Sequence, residues 1–151
     1  MEEEKRKLET LLDVLKGFTN HKTIMYANTK RKVEWIENQL SNENIKTLIL
    51  DGGTDSSAQI VSKSKQLAES DSRKNAVILT SDLVSVHHQE VTVIVNYDVP
   101  CDTETYAKRC TRHAQKNLIV INLVTKSDTQ MLKDIETMYN ISFEVFPENL
   151  L

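Results

Sequence analysis

Five short apolar, β-branched runs punctuate this chain, and the stretches between them repeat with helical period. The runs are Thr23-Ile24-Met25-Tyr26, Thr47-Leu48-Ile49-Leu50, Ala76-Val77-Ile78-Leu79, Val91-Thr92-Val93-Ile94-Val95 and Leu118-Ile119-Val120-Ile121. Each has the length of a strand and little polar alternation, as expected of strands buried on both faces. Residues 4–16 place Leu8, Leu11, Leu12 and Leu15 on one helical stripe, and residues 30–41 do the same with Val33, Ile36 and Leu40. A Ser-rich helix is predicted over 56–69, with Ile60, Ser64 and Leu67 in register. Another is predicted over 128–139, carrying Met131, Leu132, Ile135 and Met138, with Ser127 and Gln130 as a capping-box signature. Asn140–Leu151 reads as a short final strand through Ile141, Phe143 and Val145, then a tail. This alternation predicts an α/β, three-layer fold: a mostly parallel sheet with helices on both faces. The 151 residues suit a single domain spanning 1–151, without repeat, linker or low-complexity stretch.

Charge and composition narrow the function classes. The net charge is −3, which argues against a dedicated basic nucleic-acid binder and leaves room for local patches. Two such clusters exist: Lys30-Arg31-Lys32, and Arg109, Arg112, His113 and Lys116. No run exceeds four apolar residues, so no segment is suited to crossing a bilayer and no membrane partner is expected. The opening MEEEKRK is charged where a signal peptide is apolar. The two cysteines, Cys101 and Cys110, make no disulfide framework, so a reducing cytoplasmic or nuclear compartment is expected.

Several chemistries lack their residues. Neither G-x-x-x-x-G-K-[ST] nor G-x-G-x-x-G occurs, and the glycines are Gly17, Gly52 and Gly53. A phosphate loop in the last two-thirds of the chain would have to form without glycine, at a cost in strain. Ser85 lies two residues before His87 but lacks the glycines of a nucleophile elbow. His87, His88, Cys110 and His113 have neither C-x-x-C nor H-x-x-x-H spacing. No catalytic residue and no metal set is predicted; loop histidines and small half-buried cysteines account for these side chains.

Longer matches do occur, in order along the chain. TIMYANTKRKVEW at Thr23–Trp35 resembles motif IV of the DEAD-box RNA helicases, in the second RecA-like domain of that family. KLETLLDVL at Lys7–Leu15 is similar to the first helix of that domain, and LTSDL at Leu79–Leu83 to the start of motif V. VIVNYDVP at Val93–Pro100 resembles the strand and turn after motif V, and ETYAKR at Glu104–Arg109 resembles the approach to motif VI. VINLVTKSD at Val120–Asp128 and LKDIETMYN at Leu132–Asn140 resemble the end of the domain. The last of these, with FPENL, is most similar to the translation initiation factor 4A branch. The resemblance implies a RecA-like helicase C-terminal fold.

The positions that carry the family's chemistry differ here. Motif V in the family continues A-R-G-[IV]-D; this chain reads Val84-Ser85-Val86-His87-His88-Gln89 and is two residues shorter. Motif VI in the family reads H-R-x-G-R-x-x-R. Here Arg109 and Arg112 match, while Lys108, Thr111 and Gln115 replace the histidine, the glycine and the final arginine. In the family that last arginine is the finger on the γ-phosphate, a role neutral Gln115 cannot fill. The Q-x-x-R of the RNA-contacting helix falls on Ser56 and Gln59, which removes a phosphate-binding arginine. The P-loop, D-E-A-D and S-A-T motifs of the first RecA-like domain are absent from this sequence. The resemblance therefore implies no cofactor on this chain alone, with Asp82, Arg109 and Arg112 as remnants. ATP and Mg²⁺ would need a first RecA-like domain and a rescued site.

In the family, Thr29 and the residue at Lys30 approach the RNA backbone. Asn28, Thr29, Lys30, Arg31, Thr80 and Arg112 are accordingly the candidate RNA contacts. Plainer roles stand beside these: solvated charges at a helix start, Asp82 capping a loop, Arg109 and its neighbours pairing with Asp102 and Glu104, and Tyr26 packing a strand end. Trp35 either packs a core edge beside Val33 and Ile36 or, with Lys32, anchors a partner. The intact core runs and altered loops favour a catalytically inactive helicase-like domain that binds proteins in an RNA-related complex. The resemblance implies a HEAT-repeat scaffold of the MIF4G type as that partner, with weak RNA binding. The alternatives are the C-terminal half of a divergent ATP-dependent RNA helicase, or a passive RNA-binding domain.

Overall fold

The β-branched runs do become strands, and the strands lie side by side. The computed structural model describes residues 2–18, 21–50, 76–81, 91–111 and 118–145. Its strands are β1 (Thr23–Ala27), β2 (Lys46–Leu50), β3 (Ala76–Ser81), β4 (Val93–Asn96) and β5 (Ile119–Asn122). Its helices are α1 (Glu2–Gly17), α2 (Lys30–Asn42), α3 (Thr103–Thr111) and α4 (Thr129–Tyr139), with a 3₁₀ turn at Lys126–Asp128. Among the described residues the strands form one sheet in the order β2-β3-β1-β4-β5. Every pairing is parallel, as in Ile24 opposite Ile78 and Ile94 opposite Val120. No described helix is long and apolar enough to cross a membrane.

Side-chain alternation sorts the core into two faces. On one face Leu11, Val14 and Leu15 of α1 and Val33, Ile36 and Leu40 of α2 cover Met25, Ala27, Leu79, Val93 and Val95. The other face presents Ile24, Tyr26, Ile78 and Ile94, all fully buried. Tyr106 of α3 and Ile135 of α4 pack with Val99 on that side, and Val120 joins them. The layered α/β architecture read from the sequence is the one observed.

Helix ends follow from the scarcity of glycine. Asn44 and Asn140 occupy the left-handed region at φ 60° and 53°, and each follows a helix. After α2, Ile45 N donates to Leu40 O and Asn44 N to Ser41 O, both at 3.0 Å. This is a Schellman arrangement with asparagine where glycine is usual, because its short polar side chain tolerates the conformation.

Four details differ from the sequence reading. First, the Ser127–Gln130 box does not form. Asp128 instead accepts from Thr125 N at 2.8 Å and from Thr125 Oγ1 at 3.1 Å, while Gln130 Nε2 donates to Asp134 at 2.9 Å. The 3₁₀ turn moves the chain's reversal one step upstream, so the cap sits before the helix proper. Second, residues 141–145 are not a strand. Phe143 N donates to Glu136 Oε2 at 3.0 Å, and its ring meets Tyr106 edge-on at 5.8 Å, leaving Val145 94% exposed. The apolar alternation there is satisfied by one docked aromatic rather than by a ladder. Third, β5 is not buried on both faces: Ile119 is 37% exposed because the strand is an edge among the described residues. Fourth, Met138 of the predicted α4 stripe is 63% exposed.

Helix α3 has no counterpart in the periodicity analysis. It starts where Asp102 Oδ1 accepts from Thr105 N at 2.7 Å. That bond holds the Asp102 carboxyl below the usual aspartate range. The helix predicted over 56–69 lies outside the described residues.

Candidate functional site

Parallel strands bring their carboxyl ends to one edge, which is where α/β proteins bind ligands. At this edge the chain leaves β1 at Asn28, β4 at Tyr97-Asp98 and β5 at Leu123–Thr125. Helix α3 sends Arg109 back underneath. Arg109 is fully buried. Its Nη1 donates to Asn96 Oδ1 at 3.1 Å and to the Asp98 carbonyl at 2.8 Å, and its Nη2 donates to Asn28 Oδ1 at 2.7 Å. The guanidinium also lies 5.2 Å from the Tyr26 ring centroid. Asn28 completes the knot, with Nδ2 donating to Val99 O and its backbone N–H donating to Asp98 Oδ2, both at 3.0 Å.

Helix α1 straps across the same edge. Lys7 Nζ donates to Tyr97 O at 2.9 Å and lies 3.4 Å from Asp98 Oδ1. Glu4 divides its oxygens: Oε2 accepts from Tyr97 Oη at 2.8 Å, and Oε1 pairs with Lys32 Nζ at 2.6 Å. Burial works against the Glu4 charge, but the bonds from Lys32 and Tyr97 prevail and hold its carboxyl below the usual glutamate range. Burial first, then the Glu4 bond, pushes the Tyr97 phenol up. Burial likewise raises Tyr106 to about 12 and pushes the Cys110 thiol up, which makes a reactive thiolate there unfavourable.

Among the described residues, these groups and their neighbours line cavities along this edge. One, of about 320 Å³, is bounded by Glu4, Lys7, Asn28, Asp98, Thr125 and Asp128. A second, of about 330 Å³, runs from Arg6 and Lys7 to Leu123, Val124 and Lys126. A third, of about 390 Å³, is lined by Glu4, Thr29, Arg31, Lys32 and Trp35.

The structure unites some predicted site residues and separates others. It joins Asn28 to Arg109, although they are 81 positions apart. Arg109 turns inward to neutral acceptors, whereas Glu104 takes Lys108 at 3.9 Å, so the expected pairing of Arg109 with Asp102 and Glu104 gives way to burial. Thr29 caps α2, its Oγ1 accepting from Lys32 N at 3.1 Å. Lys30 and Arg31 are exposed beside it. Thr80 is buried in β3 and donates to Ser81 O at 3.2 Å. Trp35 does not pack a core edge: it is 37% exposed, with Lys32 Nζ 5.6 Å from its ring centroid. Its neighbours Val33 and Ile36 take the buried side of α2, which turns position 35 outward. Asp82, Arg112, Ser56, Gln59, Ser85, His87, His88, His113, Gln115 and Lys116 lie outside the described residues.

Sequence reasoning missed Glu4, Lys7, Tyr97 and Asp98. The only local signal was the spacing of Glu4 and Lys7, which puts them on one helix face. A pH dependence follows from Glu4. Its depressed folded pKa gives stability that is present above the ordinary glutamate pKa and is lost as pH falls through the folded value. Acid titration of the urea midpoint is expected to show this loss in the native chain and a smaller one in Glu4→Gln. Identical acid limbs would contradict the assignment.

Residues 6–117 match the family described as the helicase conserved C-terminal domain. The fold is similar to that of the C-terminal domain of the DEAD-box protein Dbp5. The two share 22% identity over 90% of this chain and 80% of that one, with a TM-score of 0.74. It is similar as well to the E. coli DEAD-box protein SrmB bound to the regulator of ribonuclease activity A, at 22% identity over 97% of this chain and 87% of that one, TM-score 0.76. The C-terminal domain of S. cerevisiae Dbp5 bound to Gle1 and IP6 gives 23% identity, 91% and 80% coverage, and a TM-score of 0.71. With the family match running from α1 past α3 and the sheet order in accord with it, this chain belongs to the helicase conserved C-terminal domain family.

Proposed function

We propose that this is a DEAD-box-type C-terminal domain, of the initiation factor 4A branch, that has lost catalysis and serves as a protein-binding module in an RNA-related complex. The observation that carries this reading is the use made of the motif residues that remain. Arg109 and Asn28 hold each other and the ends of β1 and β4 together. Such residues persist for the sake of folding even when the phosphate-gripping positions, Gln115 and the 84–89 loop, have changed. On this reading the chain is a single domain, working in the cytoplasm or nucleus, that holds no ATP or Mg²⁺ by itself. It uses Trp35 and Lys32 toward a HEAT-repeat scaffold of the MIF4G type. Bound proteins in the SrmB and Dbp5 structures support a protein partner. Asn28, Thr29 and Thr80 are engaged internally, and the exposed Lys30 and Arg31 stand beside them as the residues for any weak RNA contact.

The test combines hydrolysis and assembly. The chain is expected to release no phosphate from ATP above the blank, with or without single-stranded RNA. It is expected to co-elute with a MIF4G-type HEAT domain, and Trp35→Ala is expected to weaken that complex. RNA-stimulated hydrolysis that Arg112→Ala abolishes would overturn the reading in favour of a working helicase half.

A further inference from the structure

Trp35 is the only tryptophan in the chain, and it stands 37% exposed beside the 390 Å³ groove. Arg31 lines the groove, is exposed, and has no ion-pair partner among the described residues. Lys32 is over the indole and holds one carboxylate, Glu4, which comes from another element, α1. The Glu4 side chain is 39% exposed, so solvent and partners reach this pair.

We infer that the groove is a docking site for an acidic segment of a protein partner, whose carboxylate takes the place that Glu4 Oε1 now holds on Lys32. This rests on the reading of the domain as a protein-binding module and deepens it. The exchange is nearly balanced, because a surface ion pair is weak and one carboxylate replaces another. Glu4 need not leave altogether: Oε2 keeps its bond from the buried Tyr97 hydroxyl while Oε1 lets Lys32 go. The incoming segment gains Arg31 and covers the Trp35 face, the pairing of cation and aromatic that anchors interfaces. Glu4 is thus a built-in competitor that sets the affinity of the groove.

Charge pattern favours a peptide over RNA as the occupant. The adjoining cavity shares Glu4 and adds Asp98 and Asp128, against Lys7 alone. A phosphodiester chain continuing out of the groove along the edge meets those carboxylates with a charge on every residue. A peptide's acidic run can end at the groove and continue in uncharged residues, so it need not carry charge past those carboxylates.

Trp35 fluorescence supplies the test, since no other tryptophan contributes. Hexaglutamate, hexalysine and oligouridylate are titrated at low ionic strength into the native chain, Glu4→Gln, Arg31→Glu and Lys32→Gln. Hexaglutamate is expected to change the emission saturably. Removing the competitor in Glu4→Gln is expected to tighten binding by about twofold to fivefold, and Arg31→Glu to weaken it by at least as much. Hexalysine is expected to leave the emission unchanged. Thermal midpoints establish that each variant is folded, and Arg31→Glu, which breaks no ion pair among the described residues, remains informative if Glu4→Gln is destabilised. The inference fails if hexaglutamate is silent in both the native chain and Glu4→Gln, or if Glu4→Gln binds it more weakly. It fails equally if oligouridylate binds at lower concentration, which would assign the groove to RNA. The titration involves neither nucleotide nor scaffold, so a silent groove leaves the inactive protein-binding reading to the hydrolysis and co-elution assays.

Discussion

Replacing Arg109 with alanine is expected to lower the stability of this domain by about 4 kcal/mol, a large part of the roughly 5–15 kcal/mol that a domain has. The guanidinium is the shared donor for Asn28 Oδ1, Asn96 Oδ1 and the Asp98 carbonyl. Alanine leaves these acceptors without that donor at a buried edge, at about 1–3 kcal/mol for each one left unsatisfied. It also removes the cation from the Tyr26 face and opens a cavity beneath β1 and β4. Arg109→Lys is expected to recover only part, because an ammonium is a point donor that cannot reproduce the planar fork reaching Asn28 and Asp98 together. Urea unfolding measures both variants. A loss under about 1 kcal/mol for the alanine variant would show that the network is not what holds the strand ends.

Ile94→Ala is expected to cost about 3 kcal/mol and to lower the melting midpoint by about 6–12 °C. Ile94 is fully buried in β4, between β1 and β5, opposite Ile24 on one side and Val120 on the other. Truncation there removes apolar contacts to both neighbouring strands, and a close-packed sheet interior relaxes only partly into the space. The control is Ile119→Ala on β5, where 37% exposure predicts a much smaller change. Equal losses at the two positions would mean that β5 is covered by something outside the described residues.

Much of this architecture was legible in the linear text. Val33, Ile36 and Leu40 repeat at helical spacing and are buried, and the β-branched runs became the strands. Motif-like segments gave the fold its family, and TIMYANTKRKVEW fell on β1 and α2 as anticipated. Other features were not legible. Nothing local to ETYAKR distinguishes a buried arginine from the exposed lysine before it; only the position of α3 against β4 sends Arg109 inward. Proximity to Val33 and Ile36 left Trp35 between a core edge and an exposed anchor, and the structure decides for exposure because Val33, Ile36 and Leu40 already fill the buried face of α2. The segment 141–145 alternates like a strand, but Phe143 docks edge-on against Tyr106 and 141–145 joins no ladder.

Sequence alone determined the five strands, the helices α1, α2 and α4, and the layered parallel sheet, because these depend on period, composition and residue identity along a short window. Tertiary structure alone decided that Asn28 and Arg109 are joined, that Glu4 and Lys7 strap α1 over the strand ends, and that Trp35 faces outward with Lys32 above it. The physical reason is separation: Lys7 and Asp98 are 91 residues apart, and Tyr97 and Glu4 are 93 apart. Contacts between such distant residues are set by how the sheet orders its strands, which no local spacing encodes.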